Sequence, residues 1–96
     1  MKETKIKWSV FIITGGFYFF GQEVAGTKDF LHVKNGAMFG SFSGGKGVAG
    51  VCRGDSAATV VLDRFEQEEV LIFPIAACAG ILPSINLYEF SGATLR

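Results

Sequence analysis

At 96 residues the chain holds one domain with its own core and has no room for an active-site cleft between two domains. Nine basic and nine acidic side chains cancel, which removes the field that would gather nucleic acid or an anionic membrane, so neither is expected as a partner. Hydrophobic residues reach 49% and Phe occurs 10 times, an apolar load heavy enough that a second subunit is expected to cover part of it.

The first residues, MKETKIK, carry Lys2, Lys5 and Lys7 and lead into WSVFIITGGFYFFG, a layout that imitates an export signal. Gly15 and Gly16 divide the apolar run, it is too short to cross a bilayer, and GQEVAG offers no clean small-residue cleavage site. The segment is therefore read as part of the fold. Residues 6–14 are rich in β-branched and aromatic types and FYFF resumes that composition after Gly15-Gly16, which predicts a two-residue hairpin. On the first strand Ser9, Phe11 and Ile13 share one face, and Trp8, Val10, Ile12 and Thr14 the other. Both faces are largely apolar, so this strand is expected to be covered on both sides.

Asn35-Gly36, between FLHV and AMFGSF, predicts a second hairpin. GSFSGGKGVAG, at positions 40–50, is read as a link entered from strand AMFGSF and left into strand VAGVC. AATVVLDRF, EVLIFP and INLYEF complete the extended candidates, separated by RGDS, by EQEE with its acidic neighbours, and by AACAGILPS. Pro74 suits a first helical position and Gly80 a stop, so one short helical turn near 75–80 is the only helix expected. Seven to eight short strands with glycine turns predict an all-β fold, a small antiparallel sandwich or barrel spanning 1–96 as one domain, with α+β as the alternative.

The glycine loop carries two phosphate-binding patterns. Gly40, Gly45 and Lys46 satisfy most of G-x-x-x-x-G-K-[ST], and Gly45, Gly47 and Gly50 satisfy G-x-G-x-x-G with Asp63 further on, as at the opening of a Rossmann dehydrogenase. Gly47 stands where the first pattern needs a hydroxyl for Mg²⁺. VAGVCRGDS, broken at Gly50 and Gly54, is not expected to hold the helix that both patterns require, and VCRGDSAA is too short for a parallel crossover. No nucleotide or other cofactor is expected.

RGDS at 53–56 matches the integrin tetrapeptide and is read as a Gly-Asp turn. Cys52 and Cys78 form no C-x-x-C and no disulfide framework, which fits a reducing cytoplasm; Cys78 reads as a small buried hydrophobe, and Cys52, beside Arg53, as the candidate reactive thiol. His32 is the sole histidine, so one chain cannot build a multi-His metal site, and it reads as a half-exposed strand residue. Asp63, Glu66, Glu68 and Glu69 read as a solvated acidic strand end. No catalytic residue and no metal ligand is assigned.

Phe17, Tyr18, Phe19 and Phe20 are four consecutive aromatics, so alternation sends two to each face. A two-layer fold buries one face of an edge hairpin, and the other pair is expected to form a subunit interface. The leading reading is a non-enzymatic, cytoplasmic interaction or accessory module that forms homo-oligomers through this hairpin, with a protein partner possible. The alternative is a small barrel that binds or acts on an apolar small molecule, with Trp8 and Tyr18 on the pocket wall and Glu23 or His32 as polar contact. A third reading, an accessory protein of a phage or mobile element that caps a host partner, rests on size alone.

Overall fold

The structure, a computed structural model, describes residues 7–66 and 68–96. Lys2 and Lys5 of the basic N-terminus, the expected strand start at residue 6, and Gln67 in the acidic stretch lie outside the described residues. β1 (Trp8–Ile13) and β2 (Phe17–Val24) form the expected antiparallel hairpin. Its turn is one residue longer than predicted, because Ile13 pairs with Phe17 and leaves Thr14, Gly15 and Gly16 between them. The two glycines take φ of 99° and 88°, a conformation that favours residues without a Cβ.

The second predicted hairpin does not form. β3 runs unbroken from Phe30 to Ser43, through Asn35 and Gly36. Phe20 pairs with Ala37 and Gln22 with Lys34, so Asn35 and Gly36 together oppose the single residue Gly21 as a β-bulge. Asn35 does adopt positive φ, 53°, as Asn before Gly favours, but here it bends a strand instead of reversing it. The bend marks a change of neighbour. Residues 30–34 pair with β5 (Val70–Pro74), residues 37–43 pair with β4 (Thr59–Arg64), and β2 occupies the other edge of both halves. A turn at Asn35 would have folded the second half of β3 onto the first and denied β4 and β5 their shared edge.

β6 (Cys78–Ser84) lies antiparallel on the free side of β1, and β7 (Ala93–Leu95) lies parallel to β4. The result is all-β as expected: a seven-stranded sheet in the order β6-β1-β2-β3-β4-β7, with β5 beside β3, curled but not closed. Three assignments change. VAGVC belongs to helix α1 (Gly47–Arg53), AACAGILPS supplies β6 instead of a loop, and INLYEF holds a 3-10 turn at Leu87–Glu89 capped by the Asn86 side chain. The helical turn expected near 75–80 is a 3-10 turn at Ile75–Ala77, after which Cys78 is already extended and Gly80 sits inside β6.

α1 forms despite its poor helix formers because Gly50, Val51 and Cys52 are buried in the core, and packing outweighs propensity in so short a helix. Gly54 acts as its stop: it sits at φ 69°, and the N–H groups of Gly54 and Asp55 donate to the carbonyls of Val51 and Gly50 at 3.0 Å each. Arg53 pairs with Asp55 at 3.1 Å across this ending, so RGDS is a helix terminus.

The curl follows from connectivity. β5 and β6 lie on opposite sides of the path β6-β1-β2-β3-β5, roughly 19 Å apart if the sheet were flat. Yet only the 3-10 turn Ile75–Ala77 joins them, a reach of about 8 Å at that winding. The inner face therefore wraps on itself: Phe19 packs against Phe73 with ring centroids 4.8 Å apart, and Phe11 and Val33 are completely buried. The outer face carries Val10, Phe20, Phe39, Val60 and Leu62 and is roofed by α1 and the Leu87–Glu89 turn through Val51, Cys52 and Leu87. Val10 and Phe11, adjacent in sequence, are both fully buried, on opposite faces of β1, as its two apolar faces required.

Candidate functional site

The roof covers only part of the outer face. Where residues 30–34 of β3 pair with β5, Phe30 stands opposite Pro74, His32 opposite Ile72 and Lys34 opposite Val70, and all six residues point to the outer side by alternation. None of the six joins the core that α1 and the Leu87–Glu89 turn complete, and Phe30 is 43% exposed, Val70 46% and Ile72 56%. This is an apolar surface with His32 and Lys34 beside it, at one end of the sheet.

β5 is also an edge. It pairs with β3 alone. The Ile75 N–H donates to the Asp29 carbonyl at 2.9 Å, which by alternation assigns the β3-facing bonds to Leu71 and Phe73. Val70 and Ile72 then turn their N–H and C=O groups to the open side, and Pro74, which has no N–H, falls on the same side, where it removes no bond to β3. VLIFP contains no charge that would blunt such an edge.

A cleft of about 610 Å³ lies at the boundary between roof and bare surface, lined by Trp8, Asn35, Arg64, Phe65, Tyr88 and Leu95 among others. Trp8 stacks on Phe20 at 5.1 Å and Tyr88 meets both rings edge-on, at 5.5 and 5.2 Å. The Tyr88 hydroxyl donates to the Asn35 carbonyl at 2.6 Å. Burial pushes the Tyr88 phenol above its ordinary value, against a smaller opposing pull from the Arg64 charge.

The aromatic quartet does not form one surface. Its hairpin is flanked by β6 and β3 and is not an edge. Phe20 is fully buried in the outer core, Tyr18 packs between Phe39 and Phe42 at 5.9 and 5.4 Å, and Phe19 faces inward against Phe73. Phe17 alone stays mostly open, at 53%. The proposed ligand contacts are dispersed likewise: Trp8 lines the cleft, Tyr18 a separate hollow with Phe42, Glu23 a third with Lys7, and His32 sits on the bare outer surface.

The glycine loop does begin a helix, contrary to expectation, but not the one a phosphate cradle needs. Gly40 lies within β3, α1 has only seven residues, and β3 and β4 on either side of it are antiparallel. Gly44 has a packing reason instead, since a Cβ there would lie 2.6 Å from the Ala58 Cα.

Both cysteines are free. Cys52 is buried, and burial pushes its thiol up against weaker pulls from Ser84 and Arg53; Cys78 is only half-buried and its Sγ donates to the Gly80 carbonyl at 3.3 Å. Among the described residues no group of His, Cys, Asp and Glu is spaced to hold a metal, and no helix is long and apolar enough to cross a membrane.

The bare β5 surface escaped the sequence reading. Its signal was an uncharged strand, VLIFP, ending on a proline that a central strand would not tolerate. No family model, curated protein or solved structure matches the chain.

Proposed function

We propose that this protein is a non-enzymatic, cytoplasmic interaction module that associates with a second copy of itself through the bare outer surface around β5. The observation that carries the reading is the clustering of Phe30, Val70 and Ile72 on the outer face where β3 pairs with β5, outside the core that α1 and the Leu87–Glu89 turn complete. Isolated apolar side chains on a surface need no explanation, whereas three together beside an unpaired edge favour a partner. The aromatic hairpin, with three of its four rings packed within the fold, is a weaker basis for association than β5.

Sedimentation equilibrium from micromolar to millimolar concentration tests it. Wild type is expected to form dimers, Ile72→Asp to remain folded by circular dichroism but monomeric, and Phe17→Ser to dimerise as wild type. A wild type that stays monomeric throughout would overturn the proposal.

The ligand-binding alternative keeps one observation in its favour, the Trp8 and Tyr88 cleft, which carries Arg64 on its rim and so suits a planar ligand with a polar group. A thermal-shift screen of apolar and aromatic metabolites tests that reading, with Trp8→Ala expected to abolish any shift.

A further inference from the structure

We infer that the second copy docks by strand addition: β5 pairs antiparallel with β5 of the partner across a two-fold axis at Ile72, joining the two sheets. The inference rests on the self-association proposed above and specifies its geometry. Val70 and Ile72 direct their main-chain groups to the open side, and their side chains are exposed on the outer face of the same strand. One partner can therefore satisfy both the edge and the apolar surface, as in strand addition generally. With Ile72 opposite Ile72, the pair exchanges two bonds at the centre, and each Val70 N–H reaches a Pro74 carbonyl. Pro74 donates nothing, and the reciprocal bonds at those two ends are the only ones lost.

Charge selects the antiparallel orientation. Glu66, Glu68 and Glu69 precede β5, whereas its far end lies beside Asp29, next to Lys28. A parallel pair would stack two acidic clusters on each other. The antiparallel pair separates them, setting the acidic end of each copy against the end of the other where Lys28 and Asp29 cancel. A two-fold contact of this kind uses the same patch twice and closes, so it yields a dimer and not a filament.

Disulfide trapping tests the register in the full chain carrying Cys78→Ser, since Cys52 is buried. Added Ile72→Cys is expected to give a covalent dimer on mild oxidation, because directly opposed residues fall within disulfide reach, whereas Phe17→Cys gives none above the background chain. Separately, Ile72→Asp should weaken association more than about tenfold, the scale of a lost central contact. Dimers by sedimentation without trapping at position 72 would overturn strand addition and leave self-association standing. A monomeric wild type would overturn both. Trapping equally efficient at positions 17 and 72 would show non-specific collision and also overturn the inference.

Discussion

The Tyr88 hydroxyl donates to the Asn35 main-chain carbonyl at 2.6 Å, tying the 3-10 turn that roofs the outer face to the bulge where β3 changes neighbours. The bulge frees Asn35 from regular pairing, and Tyr88 satisfies the carbonyl left over. Tyr88→Phe keeps the ring packing on Phe20 and Trp8 and removes this bond. It should cost about 1 kcal/mol, read as a lower urea midpoint at unchanged slope. An unchanged midpoint would mean that another donor takes over.

The same tyrosine gives the protein an alkaline limit. Its phenol is held above the ordinary value by burial, so the folded state holds that proton more tightly than the unfolded state. The contribution is complete below the unfolded pKa, near 10, and is lost as pH rises through the higher folded value. Wild type should therefore lose stability toward pH of about 11 more steeply than Tyr88→Phe, measured by urea unfolding at a series of pH values. Parallel curves for the two proteins would show that Tyr88 is not the group responsible.

Phe11 and Phe17 stand on the same face of the hairpin and differ in cover. Phe11 is completely buried in the curl, and Phe11→Ala should cost about 3–5 kcal/mol. Phe17 is 53% exposed, and Phe17→Ala should stay within about 0.5 kcal/mol of wild type. Calorimetric melting of both variants checks the contrast, and a comparable drop in each would mean that the inner face is not closed as described.

The glycines of the loop can be ranked. Gly45 sits at φ 85° with nothing within 4 Å of an added Cβ, so Gly45→Ala carries backbone strain alone, about 1–2 kcal/mol. Gly44 sits at φ 130° with Ala58 backbone atoms 2.6 to 3.0 Å from that Cβ, so Gly44→Ala should be clearly the more damaging. Chemical denaturation of the pair settles the order.

The thiols should separate kinetically. Cys78 is half-buried and should react first with a disulfide reagent, whereas Cys52 is buried, its thiol pushed up, and should react only as the fold opens. Two equally fast phases in the native protein would contradict the burial of Cys52.

What could be read in the sequence followed from side-chain alternation. The two apolar faces of β1 and the Gly15-Gly16 reversal are local properties, and both are present. Asn35-Gly36 was legible as a positive-φ site, but whether that φ makes a turn or a bulge depends on β4 and β5, which come later in the chain. Gly50 and Gly54 looked like helix breakers; one is buried inside α1 and the other ends it, because the core, not propensity, holds that helix. For the candidate surface, EVLIFP was recognised as a strand, but its exposure was not, since that depends on where α1 and the Leu87–Glu89 roof stop.

β1 occupies the interior of the sheet, yet its outer neighbour β6 is among the last strands of the chain. A growing polypeptide therefore carries WSVFII with one unpaired edge and two apolar faces until Cys78–Ser84 has been made. Pairing of such distant segments is slow, and exposed strand edges invite wrong partners meanwhile. A stretch covered on both faces in the finished protein is thus a hazard during synthesis, and recombinant yield should respond to chaperone supply and temperature more than native stability alone would suggest.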